Sequence, residues 1–183
     1  MKMFWKSTRQ QKYDLKQIHA YLDSGNASLK DNKHSLAIQQ FENALKFARK
    51  RGYKLQETQA YLRLGDAYRL DNEYQTAIQH YKKALKIARQ QGYKLQETQA
   101  YKGLGHSDRL LNQYRTAIQY YEKALQIARE RGYKLQETQA YKGLGDAHKL
   151  DNEYQKTIQC YEKALEIARE RGYKLQETQA YKG

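Results

Sequence analysis

GYKLQETQAY, residues 52–61, returns letter for letter at 92–101, 132–141 and 172–181. A ten-residue string recurring without slippage at a 40-residue period is the signature of a repeat array, in which each small unit buries its apolar face against the next. The stretches between the copies repeat as well. LGDAYRLDNEYQTAIQHYKKALKIARQQ (64–91) is followed by LGHSDRLLNQYRTAIQYYEKALQIARER (104–131) and by LGDAHKLDNEYQKTIQCYEKALEIARER (144–171). A more diverged first repeat covers roughly 13–51, with YDLKQIHAY standing where YKLQETQAY stands later.

Each repeat holds two segments of helical period. In the second repeat Leu55, Ala60, Tyr61, Leu64, Ala67 and Tyr68 fall at three- and four-residue spacing, and Tyr74, Ala77, Ile78, Tyr81, Ala84, Leu85 and Ala88 do so again. Asp71-Asn72-Glu73 separates them. Asn tolerates the left-handed backbone and Asp caps helix starts, so a tight turn is expected there. Gly92 is placed as the glycine that ends a helix, and Arg89 suits that helix's negative end. Glu97 and Glu137 fall in a first turn, where the helix dipole favours a carboxylate. The predicted helix pairs are 14–30/34–51, 54–70/74–91, 94–110/114–131 and 134–150/154–171, with a further first helix opening near 174. The expected fold is all-α: a right-handed α-solenoid of stacked antiparallel helix hairpins over 13–183, four complete and the fifth truncated. Residues 1–12 form a basic leader in which Phe4 and Trp5 are expected to cover the first repeat.

Composition agrees with helices, since the 183 residues contain no proline. Thirty-four Lys and Arg against twenty Asp and Glu give a net charge of +14. That balance admits nucleic acid, an anionic membrane surface, an acidic protein partner, or simply a solvated face. The single cysteine, Cys160, excludes an internal disulfide and fits a reducing compartment. It shares its register with Gln40, His80 and Tyr120 and reads as an ordinary surface thiol. No apolar run approaches the roughly 20 residues of a membrane span, and no apolar stretch backs the basic start as in a secretory signal. A cytoplasmic location is therefore expected.

The five histidines are scattered over different repeats without HExxH or Cys/His spacing, so neither metal nor cofactor is expected. Gly103-Leu104-Gly105 and Gly143-Leu144-Gly145 imitate fragments of a phosphate loop, but they lie inside predicted helices with no preceding strand. No catalytic triad motif is present, and no enzymatic activity is expected. Most tyrosines read as core, whereas Tyr93, Tyr133 and Tyr173 sit at joints and are expected to be partly exposed.

Tyr61, Leu64, Gly65, Tyr68, Tyr74, Ala77, Tyr81 and Ala84 line up with the pattern of the tetratricopeptide repeat family, which the chain resembles over roughly 13–183. The third repeat carries Tyr101, Leu104, Gly105, Asp108, Tyr114, Ala117, Tyr121 and Ala124. The fourth carries Tyr141, Leu144, Gly145, His148, Tyr154, Thr157, Tyr161 and Ala164. In the first, Tyr21, Ser24, Gly25, Ser28, His34, Ala37, Phe41 and Ala44 stand at these positions. The common unit has about 34 residues. Here six more, Gly92 to Glu97, fall at the joint between repeats, and the usual proline is missing. This long unit is similar to those of Pins/LGN-type polarity adaptors and kinesin light chains. Ser24, Ser28, Asp108, His148 and Thr157 replace packing residues and predict local looseness. The recurring Gly65, Gly105 and Gly145 predict close helix approach, because a helical Gly costs about 1 kcal/mol against Ala.

The resemblance implies that first helices line a concave groove. Mapped by position, the second repeat presents Gln59, Leu62, Arg63, Asp66 and Arg69 there, and the third Gln99, Lys102, His106 and Arg109. The fourth presents Gln139, Lys142, Asp146 and Lys149, and the first His19, Asp23, Asn26 and Lys30. The Lys/Asn set that family members use to clamp a terminal carboxylate is not recognisable. The expected function is a protein-interaction scaffold holding an extended or helical, acidic peptide, positioned by Arg63, Arg69, Lys102, Arg109, Lys142 and Lys149. The alternative is a basic nucleic-acid-binding or self-assembling repeat protein, with self-association through an uncapped C-terminal edge.

Overall fold

The computed structural model describes the backbone of residues 2–181. The side chains of 1–7, 9, 179 and 181–183 fall outside the described residues, and with them the expected cover by Phe4 and Trp5. Nine helices are described: α1 (Lys2–Lys30), α2 (His34–Arg51), α3 (Lys54–Leu70), α4 (Tyr74–Gln91), α5 (Lys94–Leu110), α6 (Tyr114–Arg131), α7 (Lys134–Leu150), α8 (Tyr154–Arg171) and α9 (Lys174–Tyr181). The boundaries match the sequence map except at the start. Helix α1 begins at Lys2, so the leader continues the first helix instead of standing apart from it. The reason is local: no Pro or Gly interrupts the run before Gly25, and Lys, Gln and Arg favour helix.

The chain divides into two compact units, Met1–Ile87 and Ala88–Gly183. In the first, α1 packs on α2 and α2 on α3, burying Ile18, Phe41, Leu64 and Tyr81. In the second, α5, α6, α7, α8 and α9 each pack on the next, around Leu104, Tyr121, Ala124 and Leu144. Successive antiparallel hairpins stacked in this way are the architecture of an α-solenoid.

Every joint uses the same device. Gly52 has φ +75°, its N–H bonds Arg49 O at 3.2 Å, and the Tyr53 N–H bonds Ala48 O at 3.0 Å. This pair of bonds is a Schellman motif, which needs a left-handed residue just past the helix. The turns inside the hairpins repeat it with asparagine: Asn32, Asn72, Asn112 and Asn152 have φ between +56° and +62°. Asn72 N–H bonds Arg69 O at 3.2 Å and Glu73 N–H bonds Tyr68 O at 2.8 Å. Asp71 thus closes the C-terminus of α3 and does not cap the start of α4. The six added residues now have a place. Gly92 and Tyr93 make the joint, and Lys94 to Glu97 form the first turn of α5.

Close approach explains the helical glycines. A Cβ at Gly65 would lie 2.5 Å from Cε1 of Tyr81, and one at Gly145 2.6 Å from Cε1 of Tyr161. An aromatic ring of the second helix lies flat where the first helix has no side chain. The same holds for Phe41 on Gly25, while Tyr121 meets both Gly105 and Gly143.

Charged clasps fasten one hairpin to the next. The Glu137 carboxylate is buried, takes Arg129 Nε at 3.4 Å and Lys134 Nζ at 2.8 Å, and Arg129 Nη2 also donates to the Tyr141 hydroxyl. Arg89, Lys94, Glu97 and Tyr101 repeat this arrangement, and Arg49, Lys54 and Glu57 repeat its ion pairs. Of the polar replacements that predict looseness, Ser28, Asp108, His148 and Thr157 are instead buried, and Ser24 is exposed. Among them, Ser28 Oγ donates to Ser24 O at 3.0 Å, Thr157 Oγ1 donates to Glu153 O at 3.1 Å, and His148 Nδ1 meets Glu153 Oε2 at 2.5 Å. Local hydrogen bonding compensates their polarity.

Candidate functional site

The expected groove residues fall into two sets, one in each compact unit. In the first unit Gln59, Arg63, Asp66 and Arg69 succeed one another along α3. Asp66 accepts the Tyr81 hydroxyl at 2.8 Å, and Arg63 Nη1 lies 3.4 Å from Asp66 Oδ2. Arg69 lies against the Tyr81 phenol. Burial, followed by the Asp66 charge, pushes the pKa of that phenol well above its ordinary value, against the opposing pull of Arg69. Leu62, the fifth expected residue here, is buried and belongs to the core.

In the second unit the residues converge. Lys102, His106 and Arg109 from α5 and Gln139, Lys142, Asp146 and Lys149 from α7 line one cavity of about 730 Å³. The three- and four-residue spacing puts them on one stripe of each helix, and the two stripes face each other across the cavity. Gln99 is half-buried on α5 and is not among the lining residues. Gly143, Leu150 and Tyr161, which lie outside the expected groove set, complete the wall. Tyr161 was masked by its role as a packing aromatic. Its hydroxyl, however, reaches into the cavity wall and donates to Asp146 Oδ1 at 2.8 Å.

The charges of this cavity are unequally satisfied. Asp146 takes Lys142 Nζ at 2.9 and 3.2 Å as well as the Tyr161 hydroxyl. Burial first, then the bond to Asp146, pushes the Tyr161 phenol far above the usual range, so it serves as a donor. Lys102 Nζ donates to Gln139 Oε1. Arg109 Nε is buried and has no hydrogen-bond partner among the described residues. Four cationic side chains, Lys102, Arg109, Lys142 and Lys149, thus stand against one carboxylate, Asp146.

Among the described residues no group of His, Cys, Asp and Glu is placed to hold a metal ion, and no helix is long and apolar enough to cross a membrane. Cys160 is half-buried, not an open surface thiol, and burial raises its pKa.

The sequence profile of the tetratricopeptide repeat matches residues 16–90 and 96–170. Comparison by sequence with curated proteins finds no match. Among solved structures, a Rap protein complexed with competence and sporulation factor superposes with a TM-score of 0.84 at 19% identity, over 90% of this chain and 46% of that one. The apo form of RapI gives 0.79 at 17% identity, over 87% of this chain and 58% of that one. The chain thus spans about half the length of these Rap structures. The tetratricopeptide domain of Arabidopsis FLU gives 0.58 at 28% identity, over 65% of this chain and 98% of that one.

Proposed function

The chain belongs to the tetratricopeptide repeat family, and from that premise we propose that it is a protein-binding scaffold whose second unit receives an acidic segment of an extended or helical polypeptide. The observation that carries this reading is the cavity between α5 and α7, with four cations, one carboxylate and the buried, unbonded Nε of Arg109. A ligand carboxylate pairs with the Arg109 guanidinium, and Lys102 and Lys149 flank it. Charge-assisted bonds of this kind are the strong ones, and their fixed geometry confers selectivity. The Rap protein solved with competence and sporulation factor supports the reading as a structural neighbour that holds a factor.

The test is fluorescence anisotropy with a labelled peptide rich in Asp and Glu and a second peptide carrying Gln and Asn instead. The acidic peptide binds more tightly, and Arg109→Glu weakens it at least tenfold without lowering the melting temperature. Loss of a charged bond worth about 1.5–3 kcal/mol corresponds to roughly that factor or more. Equal binding of the two peptides, or an unaffected Arg109→Glu variant, refutes the proposal. Tighter binding of a random oligonucleotide, with a steep salt dependence, transfers the function to nucleic acid.

A further inference from the structure

Four half-buried residues share one register of the second helices: Gln40, His80, Tyr120 and Cys160. The third repeat shows what the position does with a ring in it. Tyr120 lies 6.1 Å from the Tyr101 ring, tilted by 31°, and Lys123 Nζ caps both rings at 5.7 and 5.8 Å. The second repeat, in its own unit, fills the same register with another ring: His80 stacks on Tyr68 at 5.1 Å and lies 5.9 Å from Tyr61.

The fourth repeat keeps the tyrosine and the lysine of this arrangement but loses the ring, and Glu166 stands where the third repeat has Gln126. Tyr141 stands where Tyr101 stands and Lys163 where Lys123 stands, but Cys160 replaces Tyr120. A cavity of about 420 Å³ opens, lined by Tyr141, Gln159, Cys160, Glu162, Lys163 and Glu166. Tyr141 is 7% exposed against 3% for Tyr101. Lys163 pairs with Glu166 Oε2 at 2.7 Å. Burial raises the pKa of the thiol.

We propose that this cavity is an aromatic socket, a second binding site that takes a tyrosine side chain of a partner polypeptide. An incoming phenol ring restores the contact with Tyr141 and the cation over its face from Lys163, as Tyr120 does within the chain one repeat earlier. The apolar ring face leaves water while its edge stays at the polar rim of Gln159 and Glu162. The socket is separate from the basic cavity between α5 and α7, so its occupation does not depend on the acidic-peptide reading.

Chemical-shift mapping of the full chain tests this with the capped pentapeptide Gly-Ser-Tyr-Ser-Gly and its Gly-Ser-Ala-Ser-Gly counterpart. The tyrosine peptide shifts resonances of Tyr141, Cys160 and Lys163, with weak, millimolar-range affinity, and the alanine peptide does not. Cys160→Tyr fills the socket from within, abolishes the shifts and raises the melting temperature, while Cys160→Ala keeps binding because the space remains. Lys163→Gln, an exposed change that leaves the fold intact, weakens binding at least threefold. The proposal fails if the alanine peptide gives the same shifts, if Cys160→Tyr still binds, if Cys160→Ala loses binding, or if Lys163→Gln binds unchanged. Binding of free p-cresol without binding of the tyrosine peptide also overturns it, because the socket then serves a small molecule.

Discussion

A single methyl group measures how closely the hairpins are shut. At Gly145 a Cβ would meet the Tyr161 ring at 2.6 Å, whereas at Gly105 the closest ring atom is 3.0 Å away. Alanine gains about 1 kcal/mol of helix propensity at either place, and overpacking costs about 1–3 kcal/mol. Gly145→Ala, the tighter site, is therefore destabilising by up to about 2 kcal/mol, and Gly105→Ala is closer to neutral. Urea unfolding of the two variants decides, and equal costs refute the argument. His80 offers a second test. Burial, with help from Lys83, lowers its pKa to about 4 against 6.5 for the free side chain. Between those values the unfolded chain takes up a proton that the folded chain refuses, so stability present above pH 6.5 is lost as the pH falls towards 4. In His80→Tyr, which installs the residue the third repeat uses, the melting temperature falls less across that window. The glycines were legible in the sequence because they recur at one register. The His80 environment was not, because the rings that stack on it come from a different helix.

Among elements, the joints were the most legible part. Gly at 52, 92, 132 and 172 and Asn at 32, 72, 112 and 152 announce left-handed residues, and the structure has a positive φ at all eight. The clasps were half legible. A carboxylate in a first turn points to the helix dipole, but the clasp also takes the arginine eight residues earlier across the joint, which helical periodicity does not pair with it. Glu137 is 6% exposed in its clasp and Glu177 is 34% exposed in the matching pair with Arg169. Glu137→Gln should cost about 1–3 kcal/mol, since it unpairs a buried charged network. Glu177→Gln should cost under about 1 kcal/mol, as exposed pairs do. Thermal melts of both variants check the ordering, and a larger loss for Glu177→Gln refutes it.

For the molecule as a whole, the net charge of +14 sets how binding responds to salt. If acidic peptides bind through the cavity between α5 and α7, raising the salt from 50 to 500 mM lowers the association rate more than it raises the dissociation rate, because screening acts on the encounter. Stopped-flow kinetics at several salt concentrations read this directly, and a salt-independent association rate contradicts it. Seven of the residues that line the cavity were named from the family resemblance, mapped through the repeat register. Tyr161 was hidden by its own pattern, which assigns it to packing. The aromatic socket was hidden for the opposite reason: it arises from a residue the register lacks. A comparison of repeats finds departures, but only coordinates show that one of them leaves a space.

The brevity of the joints governs how the chain meets a protease. Trypsin needs an extended stretch of backbone around a Lys or Arg, and the sequence offers thirty-four of these residues. Among the described residues, only Lys33 of them lies between helices rather than within one. Digestion should begin at Lys33. Further cleavage must await transient opening of a helix, so it accelerates with added urea in step with local unfolding, and the order of fragments reports which hairpin opens most readily.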